Sequence, residues 1–229
     1  MKFVAIISFL IFLSCDFRQN QNQDFEPAEG DLFFQDIDCG SYCDAIGRVT
    51  VGYKGCKTSH VGVYVELDKK PYIIEARSSG VVSTPLEKFL SRNLDSAARP
   101  KVFVGRLESV TREDLISAKK RLLSLLGQPY DDIYIPRDSA YYCSELVQEC
   151  FLGTGDKPFF SLSPMTFIDP ETDKTFEEWE HYFADRNTEV PEGKPGINPG
   201  GISTSPLVSI VHFYGYPDGC QDVEIRSNN

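Results

Sequence analysis

Residues 59–76, SHVGVYVELDKKPYIIEA, carry the reading that decides the fold. Valine and aromatic side chains crowd 59–67, the charged, proline-containing KKP at 69–71 marks a turn, and YIIEA at 72–76 returns. That pattern predicts a β-hairpin. His60 opens the first strand and Glu75 lies near the end of the second, so the hairpin places both at the same end of a sheet.

Further elements extend this sheet on either side. GDLFFQDI at 30–37 reads as a short strand after a glycine turn, KVFVGRL at 101–107 as another, and SPLVSIVHFYGY at 205–216 as the last. TREDLISAKKRLLSLLG at 111–127 predicts a helix with Thr111 as N-cap, Asp114 three residues on and Gly127 as the stop. Leu115, Ala118, Leu122, Leu125 and Leu126 recur at helical spacing and predict its packed face. A second helix is expected from about Ser139 to Phe151, within DSAYYCSELVQECF, with Leu146, Val147, Cys150 and Phe151 turned inward. Strands interspersed with helices amount to an α+β fold. Gly153–Gly201, rich in Pro, Gly and acidic residues with one helical pattern in DKTFEEWEHYF, reads as an elaborated loop region beside the site and not as a second domain. Residues 30–229 are therefore expected to form a single domain.

The chain begins with Lys2 and an unbroken apolar run from Phe3 to Leu13, ended by Ser14, Cys15 and Asp16. This predicts a signal peptide over residues 1–15, too short to span a bilayer as a helix. A small residue directly before a cysteine resembles the lipobox of bacterial lipoproteins, which makes Cys15 a candidate lipidation site and a membrane anchor. Residues 16–29, polar and poor in apolar side chains, are expected to be a flexible tether. The expected location is the bacterial cell envelope.

The 229 residues hold 23 Lys and Arg against 34 Asp and Glu, a formal net charge of −11. A chain this acidic repels phosphate backbones, so nucleic acid is not expected as a partner. No Gly-rich phosphate loop is present, which argues against nucleotide chemistry, and no cofactor is implied. Besides Cys15 there are Cys39, Cys43, Cys56, Cys143, Cys150 and Cys220. Cys39, Cys43 and Cys56 lack a histidine or fourth cysteine at zinc-site spacing, so a Cys39–Cys43 or Cys43–Cys56 bridge, or simple burial, is preferred and no metal is expected.

Thiol catalysis needs a sulfur of lowered pKa, a base within hydrogen-bond reach, and a group that orients the base. The chain has three histidines, His60, His181 and His212. His181 lies in an acidic helical pattern and reads as a surface residue; His212 lies in an apolar strand and reads as buried. His60, with Glu75 beside it, is left as the base. Cys143 falls in the first turn of its helix, where free N–H groups and the dipole favour a thiolate, whereas Cys150 lies two turns deeper without that help.

GDLFF followed by HVGVYVE resembles the block that carries the catalytic histidine in NlpC-type peptidases of the papain superfamily. LLGQPYD followed by YYCSELV resembles the block that carries their cysteine. The usual order is reversed here, histidine block first. With YIIEA supplying a glutamate, the arrangement is similar to the circularly permuted, YiiX-like branch, which also includes relatives of lecithin:retinol acyltransferase. The resemblance covers roughly residues 30–152. It implies a permuted papain-like fold, an antiparallel sheet packed against helices that include the nucleophile helix. It also implies Cys143 as nucleophile, His60 as general base, Glu75 as orienting group, and Tyr130 as a donor to the bound carbonyl or a wall of the substrate subsite. The activity implied is hydrolysis of an amide or ester through an acyl-enzyme, on a peptide of cell-wall or envelope origin or an acylated small molecule. Acyl transfer at the same site, or an envelope binding module without turnover, are the alternatives.

Overall fold

A computed structural model of the protein describes residues 25–136, 139–153 and 155–221. The expected signal peptide, the lipidation of Cys15 and residues 16–24 of the expected tether lie outside the described residues; in the described remainder, 25–29, Phe25 stacks on His212 and Glu29 Oε1 accepts from the Glu66 N–H at 2.6 Å. In chain order the elements are β1 (Leu32–Gln35), α1 (Ser41–Val49), β2 (His60–Leu67), β3 (Lys70–Arg77), β4 (Gly80–Pro85), α2 (Leu86–Leu90), β5 (Val102–Leu107), α3 (Arg112–Ser124) and α4 (Cys143–Cys150). Then come the two-residue strands β6 (Ser163–Pro164), β7 (Ile168–Asp169) and β8 (Lys174–Thr175), α5 (Glu177–Ala184), β9 (Pro195–Gly196), α6 (Pro199–Ser203) and β10 (Val208–Phe213).

Six strands form one antiparallel sheet in the order β10-β5-β1-β2-β3-β4. The expected hairpin is its centre. Asp68 and Lys69 both have positive φ, 50° and 62°, so a two-residue turn joins Leu67 to Lys70; its left-handed backbone matches the twist of the flanking strands. β3 starts two residues earlier than expected and continues into β4, a strand the sequence did not announce. Gly80, at φ +99°, lies so close to the Gln128 carbonyl that a Cβ would stand 2.5 Å from it.

Alternation sends the residues of the central strands to opposite faces. Leu32, Phe34, Val61, Val63, Ile74 and Phe103 pack against α3 and α4 through Ala118, Leu122, Leu146, Val147 and Phe151. Phe33, Tyr64, Ile73 and Val104 face the other way, where Phe89 of α2 covers them. This explains why β1 reads as an apolar run and not as an alternation: it is buried on both sides.

Thr111 caps α3 and exchanges hydrogen bonds with Asp114, and Gly127 at φ +85° follows the helix. Its packed face is narrower than expected. Ala118 and Leu122 are buried, Leu115 and Leu125 are half-buried, and Leu126 is exposed, because the helix has ended at Ser124 and Leu126 no longer follows helical geometry. α4 likewise begins at Cys143 and not near Ser139.

Two disulfides are present among the described residues. Cys39–Cys43 closes the turn before α1, and Cys56–Cys220 joins positions 164 apart, tying the C-terminal segment to the loop after α1. Cys56 therefore pairs with Cys220 and not with Cys43. The 153–201 region builds a small core of its own with α1, in which Phe167, Phe176, Trp179 and Phe183 surround Ala45.

Candidate active site

The β2–β3 ladder runs from Leu67–Lys70 to Val63–Ile74 and stops there. Beyond it, at the open end of the hairpin, His60 meets the N-terminus of α4. Glu75 Oε2 lies 2.6 Å from His60 Nε2. The imidazole also hydrogen-bonds the Cys143 thiol, and with Nε2 engaged by Glu75 this contact falls to Nδ1. Cys143, His60 and Glu75 thus form one buried chain, the sulfur from the helix side of the sheet and the carboxylate from within it.

Glu75 is fully buried and richly satisfied. Thr84 Oγ1 from β4 donates to Oε1 at 2.6 Å, and Arg92, just past α2, donates twice, Nη2 to Oε1 at 2.6 Å and Nη1 to Oε2 at 3.0 Å. Burial raises the carboxyl's pKa, but the hydrogen bond and charge of His60, followed by those of Arg92, hold it well below the usual carboxylate range. Burial disfavours the His60 imidazolium, yet the hydrogen bonds to Cys143 and Glu75 and their negative charge raise its pKa to about 9. Burial likewise opposes a Cys143 thiolate. The His60 hydrogen bond and charge, and the Val61 backbone N–H, outweigh it and bring the thiol below its ordinary value. The single Ser144 hydroxyl proton is directed to the Ile197 carbonyl, 3.0 Å away, so thiolate stabilisation rests with His60 and Val61.

As the first residue of α4, Cys143 has a backbone N–H with no intrahelical acceptor, aimed at the end of the helix where negative charge is favoured. The helix end is fixed from two sides: Glu145 Oε2 accepts from the Tyr142 N–H at 3.2 Å, and the Tyr142 hydroxyl accepts from the Ile197 N–H at 3.1 Å. Ile197 belongs to the 153–201 region, which is how that region comes to sit against the thiol.

A cavity of about 230 Å³ opens beside Cys143. Its walls include Ile46 and Val49 of α1, Tyr130 and Tyr134, and Met165, Phe167 and Trp179 of the late region, and among the described residues no charged side chain lines it. Tyr130 lines this space and senses the Cys143 charge, which together with burial raises its hydroxyl well above the usual phenol value. The remaining histidines lie elsewhere. His181 is exposed on α5. His212, expected to be buried, is half-buried on the edge strand β10, stacked on Phe25 with ring centroids 4.2 Å apart, and burial lowers its pKa to about 4.

Cys150 faces the core, and burial pushes its thiol far up. Its replacement by alanine should leave the iodoacetamide-labelling rate of Cys143 within about twofold, read by intact mass. Label found on Cys150 in the native protein would assign the reactive thiol to the wrong helix turn.

Arg92 and Thr84 had no sequence signal. Arg92 sits in EKFLSRNLD, which reads as an ordinary charged connection; only the path of α2 over the sheet brings its guanidinium to Glu75.

A family model described as permuted papain-like amidase enzyme, YaeF/YiiX, C92 family, matches residues 26–212. The uncharacterized protein YiiX of Escherichia coli strain K12 is 32% identical over 127 residues, 56% of this chain and 58% of that protein. The match thus spans little more than half the length of that relative. A crystal structure of metalloprotein yiiX from Escherichia coli O157:H7 superposes with a TM-score of 0.68 at 23% identity, over 84% of this chain and 100% of the other. At that identity the likeness speaks for the fold.

Proposed function

Because the chain belongs to the permuted papain-like amidase family, YaeF/YiiX, we propose that it is a cysteine hydrolase that opens an amide or ester through an acyl-enzyme on Cys143. The observation that carries this reading is the buried Cys143–His60–Glu75 chain, whose charges favour a thiolate–imidazolium pair. The thiolate attacks the carbonyl carbon, and the developing oxyanion falls to the Cys143 N–H, with Tyr130 beside it. His60 then gives its proton to the leaving nitrogen or oxygen, and the C–N or C–O bond breaks. Water, deprotonated by His60, attacks the thioester and returns the free thiolate. Glu75 keeps its charge throughout and holds the imidazole.

The cavity restricts the substrate. Among the described residues no charged side chain lines it, and against those walls a charged acyl group would lose hydration without gaining a partner. The substrate is an amide or ester whose acyl side is neutral and largely apolar, including a peptide amide with an apolar residue there. The apolar N-terminal run and Cys15 support a location at the cell envelope, tethered to the membrane. The solved relative is described as a metalloprotein. Among the described residues no three His, Cys, Asp or Glu side chains gather in a metal-holding group, so no step is drawn through a metal. The test is a screen of N-acyl amino acids, short peptides and muropeptide fragments in H₂¹⁸O. One ¹⁸O in the released acid, lost in Cys143→Ala, is the expected result; turnover that survives the substitution would refute the assignment.

Glu75→Gln separates its charge from its shape. The amide cannot stabilise the imidazolium as the carboxylate does, so the His60 pKa falls and the ion pair gives way to the neutral thiol and imidazole. Alkylation of Cys143 at pH 6–7 should slow by about tenfold or more, with less effect well above the thiol's own pKa. Superimposable rate–pH curves would leave a Cys143–His60 dyad with Glu75 outside it.

A further inference from the structure

The site chain does not end at Glu75. A carboxylate with no solvent exposure would ordinarily take up a proton, or take the His60 proton for itself, and so fail as a fixed charge. What prevents this is a second cation. Arg92 grips both carboxylate oxygens, at 2.6 and 3.0 Å, from a position that is itself largely buried, and its guanidinium lies over the Phe89 ring with the guanidinium carbon 5.1 Å from the centroid. The Gln35 amide oxygen accepts a longer bond from Nη1 at 3.4 Å. The groups that face Glu75 are therefore His60 from β2, Thr84 from β4 and Arg92 from the segment after α2. Gln35 from β1 and Phe89 from α2 face Arg92, and Cys143 from α4 lies behind His60. Of these, Arg92 is the one group that is a cation at every working pH.

We propose that Arg92 is a positioning residue of the hydrolase reaction, which clamps Glu75 as an anion and thereby sets the lower pH at which the Cys143 thiolate forms. This deepens the reading of Cys143 as nucleophile and rests on it. The sign follows from charge alone. Removing a cation raises the proton affinity of every group around it, so without Arg92 the carboxylate accepts a proton at higher pH, His60 loses its charged acceptor, and the thiolate protonates at higher pH as well. Geometry adds to this, because the two-pronged grip of a guanidinium fixes the carboxylate plane, which a point charge does not.

The test uses the iodoacetamide alkylation rate of Cys143 in the full chain from pH 4 to 10, with Cys150 replaced by alanine in all forms. Arg92→Gln should move the acid limb of the rate–pH curve upward by about one unit or more, a tenfold loss on the acid side. The alkaline plateau should be recovered. Arg92→Lys, which keeps the charge, should hold the limb within about 0.3 unit of wild type. A merely structural role moves no limb and lowers the rate at all pH values, and that outcome, or superimposable curves, would overturn the proposal. Arg92→Met, whose linear stem fills the same slot over Phe89, is the second neutral variant. Wild-type protein with no acid limb below the ordinary thiol range would instead contradict the activated Cys143 itself, so the two failures are distinct.

Discussion

Cys143→Ala should abolish turnover, by on the order of 10⁴-fold or more, because the group that bonds to the substrate is gone and the remaining site can only bind. The fold should survive. Alanine fills most of the volume of a side chain that sits at the start of α4 with its helix end fixed independently by Glu145, Tyr142 and Ile197. Cys143→Ser is the sharper variant, since it keeps shape and hydrogen bonds but replaces a thiol whose pKa lies within reach of His60 by a hydroxyl whose pKa does not. It too should fall to background. Far-ultraviolet circular dichroism and the activity of purified protein on the hydrolysed substrate check both, and a Cys143→Ala protein retaining a tenth of wild-type turnover would contradict the account.

Glu75→Ala should be the most destabilising single substitution in the site, by about 3–5 kcal/mol in urea unfolding. It deletes an anion that accepts from His60, Thr84 and Arg92 together. Left behind are a largely buried guanidinium without a counter-charge and a threonine hydroxyl without its acceptor. Glu75→Gln should cost less, since its amide oxygen still accepts while its amide nitrogen faces donors. A Glu75→Ala loss under 1 kcal/mol would mean that water reaches Arg92 freely, in conflict with the burial seen here.

The elements that place the site were legible in the sequence because each is locally encoded. Alternation in HVGVYVEL and YIIEA fixes a hairpin whose register carries His60 and Glu75 to one end. The apolar spacing in CSELVQECF announces the nucleophile helix, although its start was expected near Ser139 and falls at Cys143. What was not legible depends on chain crossings. Arg92 acquires its role only when α2 folds over the sheet, and nothing in its neighbours differs from a solvated surface segment. β4, GVVSTP, ends in residues that read as a loop, and its strand character comes from pairing with β3. The Cys56–Cys220 bridge spans 164 positions, and the spacing of cysteines cannot choose such a partner. The cavity is the largest omission. Its wall from Met165 to Trp179 has no sustained period, because it is shaped by packing on α1 and by two-residue ladders instead of by long elements.

The central claim is that Cys143 is held as a thiolate by an imidazolium that Glu75 sustains. The most direct measurement is the rate at which iodoacetamide alkylates Cys143 in wild-type protein between pH 5 and 9, with the modified residue identified by peptide mass. An ordinary thiol with a pKa near 8.5 is ionised to roughly one part in 300 at pH 6, and its rate climbs about tenfold per unit up to pH 8. The account predicts instead a rate already near its plateau at pH 6 to 7 and flat until His60 loses its proton near pH 9. A tenfold-per-unit climb across pH 6 to 8 would show an unactivated thiol and contradict it.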